Sequence, residues 1–121
     1  MIDLEMQAVE EYIRESRTGF WKMELDSDGT GRMLYADAMM RDLLGVTPDI
    51  TPEECYAFFS AHIHPDDRQL LTAYMEELMR GEADIVYRYL HPVTGEMRVR
   101  CGGRRIHTEE QTVTIAGYHR E

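Results

Sequence analysis

The stretch HIHPDDRQL, residues 62–70, supports two interpretations. Its first six positions contain four side chains that can bind a metal ion or carry a proton, namely His62, His64, Asp66 and Asp67. The same stretch also has the form of a helix start, because Pro65 suits the first helical position, where its missing N–H costs nothing, and His64 then becomes the cap. Aspartates in a first turn are stabilised by the positive end of the helix dipole.

We favour the helix start over the metal site. From a first turn, both aspartates are expected to point into solvent and not to converge with His62 on one ion in the geometry that zinc or calcium requires. A helix is predicted over 66–80, because the apolar residues recur at helical spacing and Gly81 follows them: Leu70, Leu71, Tyr74, Met75, Leu78 and Met79. A metal-dependent site built from the four side chains above is retained as the alternative hypothesis.

Two shorter helices are predicted upstream from their capping residues. Asp37 suits the N-cap and Gly45 the C′ position of a helix within DAMMRDLLGV. A second helix is predicted to begin after Thr51, with Pro52 at the first helical position and Glu54 placed to complete a capping box.

Five strands are predicted around these helices. In TGFWKMELD, residues 18–26, the apolar Trp21, Met23 and Leu25 alternate with polar residues, and SDGTG then turns the chain into a second strand, RMLYA. Three further strands come after the last helix, in ADIVYRYLHP, MRVRC and QTVTIAGYH. Helices inserted between the second and third strands of an antiparallel sheet predict an α+β domain with the helices on one face.

An amphipathic helix is predicted before the first strand, over residues 1–17, ahead of a domain at 18–121. Its apolar stripe has spacings of four, three and four: Ile2, Met6, Val9 and Ile13. The stripe can fold back on the outer sheet face or pair with a second copy, and we expect a homodimer. The third strand has Val86 and Leu90 on its outer side, which predicts a surface that needs a cover. A basic cluster in the fourth strand is expected to be a solvated face or to attract the acidic helix or an anion: Arg98, Arg100, Arg104 and Arg105.

The composition limits the functions that the chain can have. Its 121 residues are enough for one domain, and 13 basic against 23 acidic residues give a net charge of −10, which repels nucleic acid. Neither a signal peptide nor a run of 18 apolar residues is present, so we expect a cytoplasmic protein without direct membrane contact. Cys55 and Cys101 belong to no CxxC pair, so zinc and disulfide frameworks are not expected.

No catalytic pattern stands out in the sequence. There is no GxSxG nucleophile elbow and no glycine-rich phosphate loop after a strand. The adjacent glutamates, such as Glu76 and Glu77, are typical of solvated helix faces rather than of paired catalytic carboxylates. We therefore predict a domain without catalysis of its own.

Five motifs in order give the sequence a family resemblance. They are GFW with Trp21, RDLLGV with Gly45, HPDDR from His64 to Arg68, VYRYLHPVTGEMRV with Tyr87 and Arg88, and IAGYHRE with Gly117. From Gly19 to Glu121 the chain resembles a PAS domain of the subgroup with HPDDR, YR and GE.R motifs. Val99 departs from the pattern, because the subgroup usually has a tryptophan there.

The resemblance implies a fold and a function. The fold is a five-stranded antiparallel sheet in the order 2-1-5-4-3 with helices over one face. The function is that of a sensor in a bacterial signalling protein, which detects a small molecule or dimerises and passes the change to an effector such as a histidine kinase or a diguanylate cyclase. Since the sequence stops at Glu121 without an output domain, we expect it to be the N-terminal sensor of a longer protein, starting at its natural Met1 and followed by the effector.

The resemblance also defines which cofactors to consider. Flavin photosensors of the superfamily carry a reactive cysteine in an NCRFLQ-type helix, and EECYAFF around Cys55 does not match. Haem would need His62 or His64 as an axial ligand, and the helical methionines are more typical of core filler. We therefore expect neither flavin nor haem. A cavity under the helices would hold an unidentified small metabolite or, as we favour, be filled by side chains; its lining is predicted to be Trp21, Met23, Met40, Leu44, Phe58 and Tyr87.

Overall fold

The structure is a computed structural model that describes residues 2–121, with side chains described from residue 5 onward. Within these residues the chain forms four α-helices, one 3₁₀ turn and five strands. In chain order they are α1 (Ile2–Glu15), β1 (Thr18–Asp26), β2 (Met33–Ala36), α2 (Ala38–Leu44), α3 (Pro52–Ala61), the 3₁₀ turn (Pro65–Asp67), α4 (Arg68–Arg80), β3 (Glu82–His91), β4 (Gly95–Glu109) and β5 (Thr112–Arg120).

The strands form one antiparallel sheet in the order β2-β1-β5-β4-β3, which confirms the predicted order and the α+β class. The first and last strands are therefore neighbours at the centre, with Thr18 opposite Arg120 and Trp21 opposite Gly117. On β1, Trp21, Met23 and Leu25 are buried, as their alternation predicts. These side chains form one core with buried residues of α2, α3 and α4.

The helix ends are held by the predicted caps. The Asp37 carboxylate accepts a hydrogen bond from the Met40 backbone N–H at 2.8 Å, and Gly45 ends α2 in the left-handed conformation at φ 81°. At the start of α3, the Thr51 hydroxyl accepts from the Glu54 N–H and the Glu54 carboxylate accepts from the Thr51 N–H, which completes the capping box. Side chains thus satisfy backbone donors that a helix start leaves without partners.

Helix α4 begins two residues later than the predicted helix, because Pro65–Asp67 forms a 3₁₀ turn first. Its buried side chains are Leu71, Tyr74 and Leu78. The prediction was wrong for Leu70, which is 49% exposed. The buried stripe follows the i, i+3, i+7 positions, which leaves Leu70 on the side of the helix away from the sheet.

Glycines let the sheet centre approach the indole of Trp21 closely. A Cβ atom at Gly103 or Gly117 would lie 2.7–2.9 Å from carbons of this ring, and at Gly117 it would also overlap the carbonyl oxygen of Gly102. The indole N–H donates a hydrogen bond to the Tyr118 carbonyl at 3.1 Å. Trp21 is therefore fixed against a surface that only residues without a side chain can provide.

None of the helices within residues 2–121 has both the length and the apolar character needed to cross a lipid bilayer.

Candidate functional site

Five of the six residues predicted to line a cavity lie together in the packed core between the helices and the sheet. They are Trp21, Met23, Met40, Leu44 and Tyr87, none more than 6% exposed. Phe58 lies apart from them, half-buried, and stacks on the His62 ring with 4.0 Å between centroids. The neighbouring Phe59 faces inward instead and contacts the rings of Tyr87 and Tyr89.

His119 is a fully buried histidine in this core, on β5. Its Nδ1 lies 3.2 Å from the Met40 sulfur and its Nε2 lies 3.2 Å from the Tyr87 hydroxyl. Because a thioether sulfur can only accept a hydrogen bond, Nδ1 carries the proton and Nε2 accepts from Tyr87. Burial lowers the pKa of His119 from 6.5 to about 4, so the imidazole is neutral at pH 7.

The two thiols lie in apolar surroundings. Burial raises the pKa of Cys101 to about 11, and its sulfur lies 3.5 Å from the Tyr74 hydroxyl. Burial also raises the pKa of Cys55 on α3. Since the thiolate is the reactive and metal-binding form, both cysteines are chemically quiet at neutral pH.

Three of the four side chains of the metal hypothesis have other partners, the fourth, Asp66, is exposed to solvent, and the four do not converge. His64 caps the 3₁₀ turn, as predicted, with its Nδ1 accepting from the Asp66 N–H at 3.1 Å. His62 has its Nδ1 2.8 Å from the Phe58 carbonyl oxygen. Among the residues whose side chains are described, no group of three or more histidine, cysteine or acidic side chains is arranged to hold a metal ion.

The prediction that both aspartates of HPDDR point into solvent is wrong for Asp67. It is 6% exposed and its carboxylate accepts three hydrogen bonds from Arg88 on β3: from the backbone N–H at 2.8 Å, from Nε at 3.0 Å and from Nη2 at 2.7 Å. Hydrogen bonds from the Arg88 side chain and backbone lower the pKa of Asp67 from 3.8 to about 2. The pair ties the start of α4 to the edge strand of the sheet.

We expect Asp67→Asn to lower the urea midpoint of unfolding at neutral pH, because an amide offers Arg88 no negative charge. The folded-state pKa is depressed, so the stabilisation by this carboxylate is full above the unfolded-state value of 3.8 and is lost as pH falls towards 2. The midpoint gap between wild type and variant should therefore narrow at about pH 3. Asp66→Asn, which removes a neighbouring exposed acid, should leave a much smaller gap, and equal gaps for the two variants would contradict the ion pair.

A groove of about 770 Å³ opens between α3, α4 and the turn that joins β1 to β2. Its floor is apolar and includes Phe59, Ile63, Leu71 and Met75. Its rim is polar, and its charged side chains are Asp28, Arg32, Arg68, Glu76 and Arg80. None of the six residues predicted to line a cavity borders this groove, which lies at the margin of the helical layer.

The sequence profile of the PAS fold family matches residues 33–120, well over half of the chain. The chain belongs to the PAS fold family. The profile begins at Met33, and the structure adds β1 with Trp21, which lies between β2 and the central strand β5. No curated protein gives a significant sequence match.

Solved structures of other PAS and sensor domains are similar to this one. A domain of a putative light and redox sensing histidine kinase from Haloarcula marismortui is 26% identical, with a TM-score of 0.68 over 94% of this chain and 97% of that one. A sensory box histidine kinase/response regulator from Burkholderia thailandensis is 19% identical, with a TM-score of 0.65 over 92% and 81%. The N-terminal domain of a diguanylate cyclase with a PAS/PAC sensor from Marinobacter aquaeolei is 15% identical, with a TM-score of 0.62 over 84% and 92%.

Val99 fits this PAS domain without the usual tryptophan. It is 1% exposed and lies opposite Tyr87 in the β3–β4 pairing. Tyr87 is also buried, and as the direct cross-strand partner of Val99 its side chain lies on the same face of the sheet.

Three features of the PAS domain were missed from the sequence. His119 was detectable, because it follows Val113, Ile115 and Gly117 at intervals of two and so shares their inward face. The contact between Asp67 and Arg88 joins residues 21 positions apart, and the groove joins residues from three elements. No local pattern indicates either of these two features.

Proposed function

We propose that this PAS domain is a cytoplasmic signal-receiving module that forms a homodimer through α1 and acts on an attached effector without catalysis of its own. The observation that carries the proposal is the exposed apolar stripe of α1. Met6 is 54% exposed, Val9 52% and Tyr12 65%, and Ile13 is half-buried. The side chain of Ile2, the first residue of the predicted stripe, lies outside the described residues. A helix of this length is marginal in water without a packing partner.

The outer face of the sheet is the surface that we propose for the second copy's helix. Phe20, Tyr35 and Val86 expose 42%, 36% and 43% of their area there, on three different strands. Exposed apolar side chains therefore lie on β1 and β2 as well as on β3, the strand for which a covering partner was predicted. Burying apolar surface of this kind against the α1 stripe would stabilise a dimer by about 25 cal/mol per Å² removed from water.

Charge supports the same pairing. Arg100 and Arg120 lie directly opposite each other on β4 and β5, and like charges so placed repel. Asp84 pairs with Arg100 at 3.1 Å, while Arg98 and Arg120 have no carboxylate of residues 5–121 within ion-pair distance. The described part of α1 is acidic, with one arginine against four glutamates: Glu5, Glu10, Glu11 and Glu15. The other two members of the predicted basic cluster have partners of their own: Arg104 lies 3.5 Å from the Glu82 carboxylate, and the Nη1 of Arg105 donates to the Met79 carbonyl on α4.

The position of α1 supports signal transfer to an effector after β5. The helix joins the sheet where β5 ends, because Thr18 and Arg120 are paired, and Arg17 lies 4.0 Å from the Glu121 carboxylate. A movement of α1 on the partner's sheet would therefore displace the end of β5. Since the similar structures include domains of histidine kinases and a diguanylate cyclase, we place an effector of one of these classes there. The net charge of −10 is the reason to expect no nucleic acid partner.

We expect Val9→Glu to raise the dissociation constant of the dimer at least about tenfold. Val9 is 52% exposed in the monomer, so burying the rest of it is worth about 0.8 kcal/mol. A symmetric dimer loses this contribution twice, about 1.5 kcal/mol in total, and 1.4 kcal/mol is a factor of ten in affinity. Sedimentation velocity over a micromolar concentration series measures the change. Gln7→Glu adds the same charge to another side of α1 and should leave the dimer intact. A wild-type protein that remains monomeric throughout the series would overturn the proposal.

A further inference from the structure

The groove between α3 and α4 has a charge opposite to that of the chain as a whole. Its rim carries three arginines and two acids, whereas the chain has a net charge of −10. Among residues 5–121, no carboxylate lies within ion-pair distance of Arg32, Arg68 or Arg80. The local net charge is therefore positive next to an apolar floor.

Two of the arginines are held in place by neutral partners. Arg32 donates from Nε to the Gly29 carbonyl at 2.7 Å and from Nη1 to the Tyr56 hydroxyl, and its guanidinium lies 5.4 Å from the centre of the Tyr56 ring. Arg68 donates from Nη1 to the Ser60 carbonyl at 3.3 Å. These bonds orient the cations without neutralising them, so each keeps N–H donors for an anion.

The two acids at the rim reduce its formal net charge to +1 but do not reverse its sign. Asp28 accepts from the Thr30 hydroxyl at 2.6 Å and from the Thr30 N–H at 3.0 Å, and these bonds lower its pKa. The Asp28 carboxylate therefore stabilises the turn between β1 and β2. Glu76 lies on the exposed side of α4, one turn after Thr72.

We propose that this groove binds an amphipathic monocarboxylate, with its apolar body on the floor of Phe59, Ile63, Leu71 and Met75 and its carboxylate at the rim between Arg32 and Arg68. The volume of about 770 Å³ lies within the range of small-molecule sites. Arginine suits a carboxylate because its planar N–H groups match the two oxygens. The inference rests on the proposed sensory function, since it names the class of signal that the domain receives. The ligand would contact α3 and α4 together.

Isothermal titration calorimetry with octanoate tests the proposal. Octanoate should bind with one molecule per chain. We expect 1-octanol, which lacks the charge, and acetate, which lacks the apolar body, to bind at least about tenfold more weakly. Arg68→Gln, at an exposed residue, should weaken octanoate binding about tenfold. Arg17→Gln is the matched control, because it removes an equal charge from an exposed residue that does not border the groove, and it should bind as wild type does.

Glu76→Gln gives a result that misfolding does not imitate. Removing the exposed acid from the rim should tighten octanoate binding by a factor of about two to five, because the repulsion between two carboxylates is lost. Equal affinity of wild type, Arg68→Gln and Glu76→Gln for octanoate would overturn the inference, as would equal binding of 1-octanol. A third outcome is that octanoate fails to bind while the wild type still dimerises and Val9→Glu does not. That result would overturn the ligand class and leave the proposal of a dimeric sensor intact.

Discussion

The free energy of unfolding of the wild-type domain is expected to fall by about 3 kcal/mol between pH 7.5 and pH 4 through His119 alone. The folded-state pKa of His119 is lowered from 6.5 to about 4 by burial. Its stabilisation is therefore full above the unfolded-state value of 6.5 and is lost as pH falls through 4, because the unfolded chain takes up a proton that the folded core excludes. The side chains that face it include Met40, Tyr87, Tyr89 and, directly opposite on β4, Cys101, whose pKa burial raises to about 11, so all four are uncharged between pH 4 and 7.5.

Urea titrations at several pH values measure this effect, with the fluorescence of the single tryptophan, Trp21, as the signal. His119→Gln should flatten the slope of stability against pH between about 6.5 and 4, whatever its effect at neutral pH. His107→Gln, which removes an exposed histidine beside Glu109, should keep the wild-type slope. A wild-type slope in His119→Gln would show that the buried imidazole does not control the acid sensitivity of the domain.

The features predicted from sequence are those that a short segment specifies by itself. The alternation of Trp21, Met23 and Leu25 predicts a half-buried strand, and Asp37 and Thr51 predict helix starts, because each cap bonds to backbone groups within three residues. The strand order came from the family resemblance. Local patterns therefore predict which element forms, whereas the five family motifs together predict the order of the strands in the sheet.

Apart from the helix face assigned to Leu70, the errors concern contacts between distant segments. A first-turn aspartate is normally solvated, and HPDDR does not show that the edge strand brings the guanidinium of Arg88 within 2.7 Å of Asp67. The rim of the groove depends in the same way on Arg32 and Arg68, which come from the β1–β2 hairpin and from α4. His119 is different, because its inward position follows from the alternation along β5, and only its polarity argued against burial.

Gly117 should be the most sensitive position of the sheet. We expect Gly117→Ala to lower the free energy of unfolding by about 3 kcal/mol, at the upper end of the cost of overpacking. The added methyl group would overlap the Gly102 carbonyl oxygen, which is backbone and cannot rotate away, and would lie 2.7 Å from the Trp21 ring. Alanine also lowers the conformational entropy of the unfolded chain, which stabilises the folded state by about 0.4–1 kcal/mol. This gain is smaller than the cost of the overlap.

The control for this substitution is the adjacent residue on the other face. Ala116→Ser also adds one heavy atom to β5, but Ala116 borders a shallow, open depression on the outer side of the sheet, so its change should stay within about 0.5 kcal/mol. Urea unfolding gives both free energies, and the emission of Trp21 should shift only in Gly117→Ala because only that methyl group faces the indole. A Gly117→Ala protein as stable as Ala116→Ser would mean that β4 and β5 do not approach each other at Gly102, and the fixed position of Trp21 would then need another explanation.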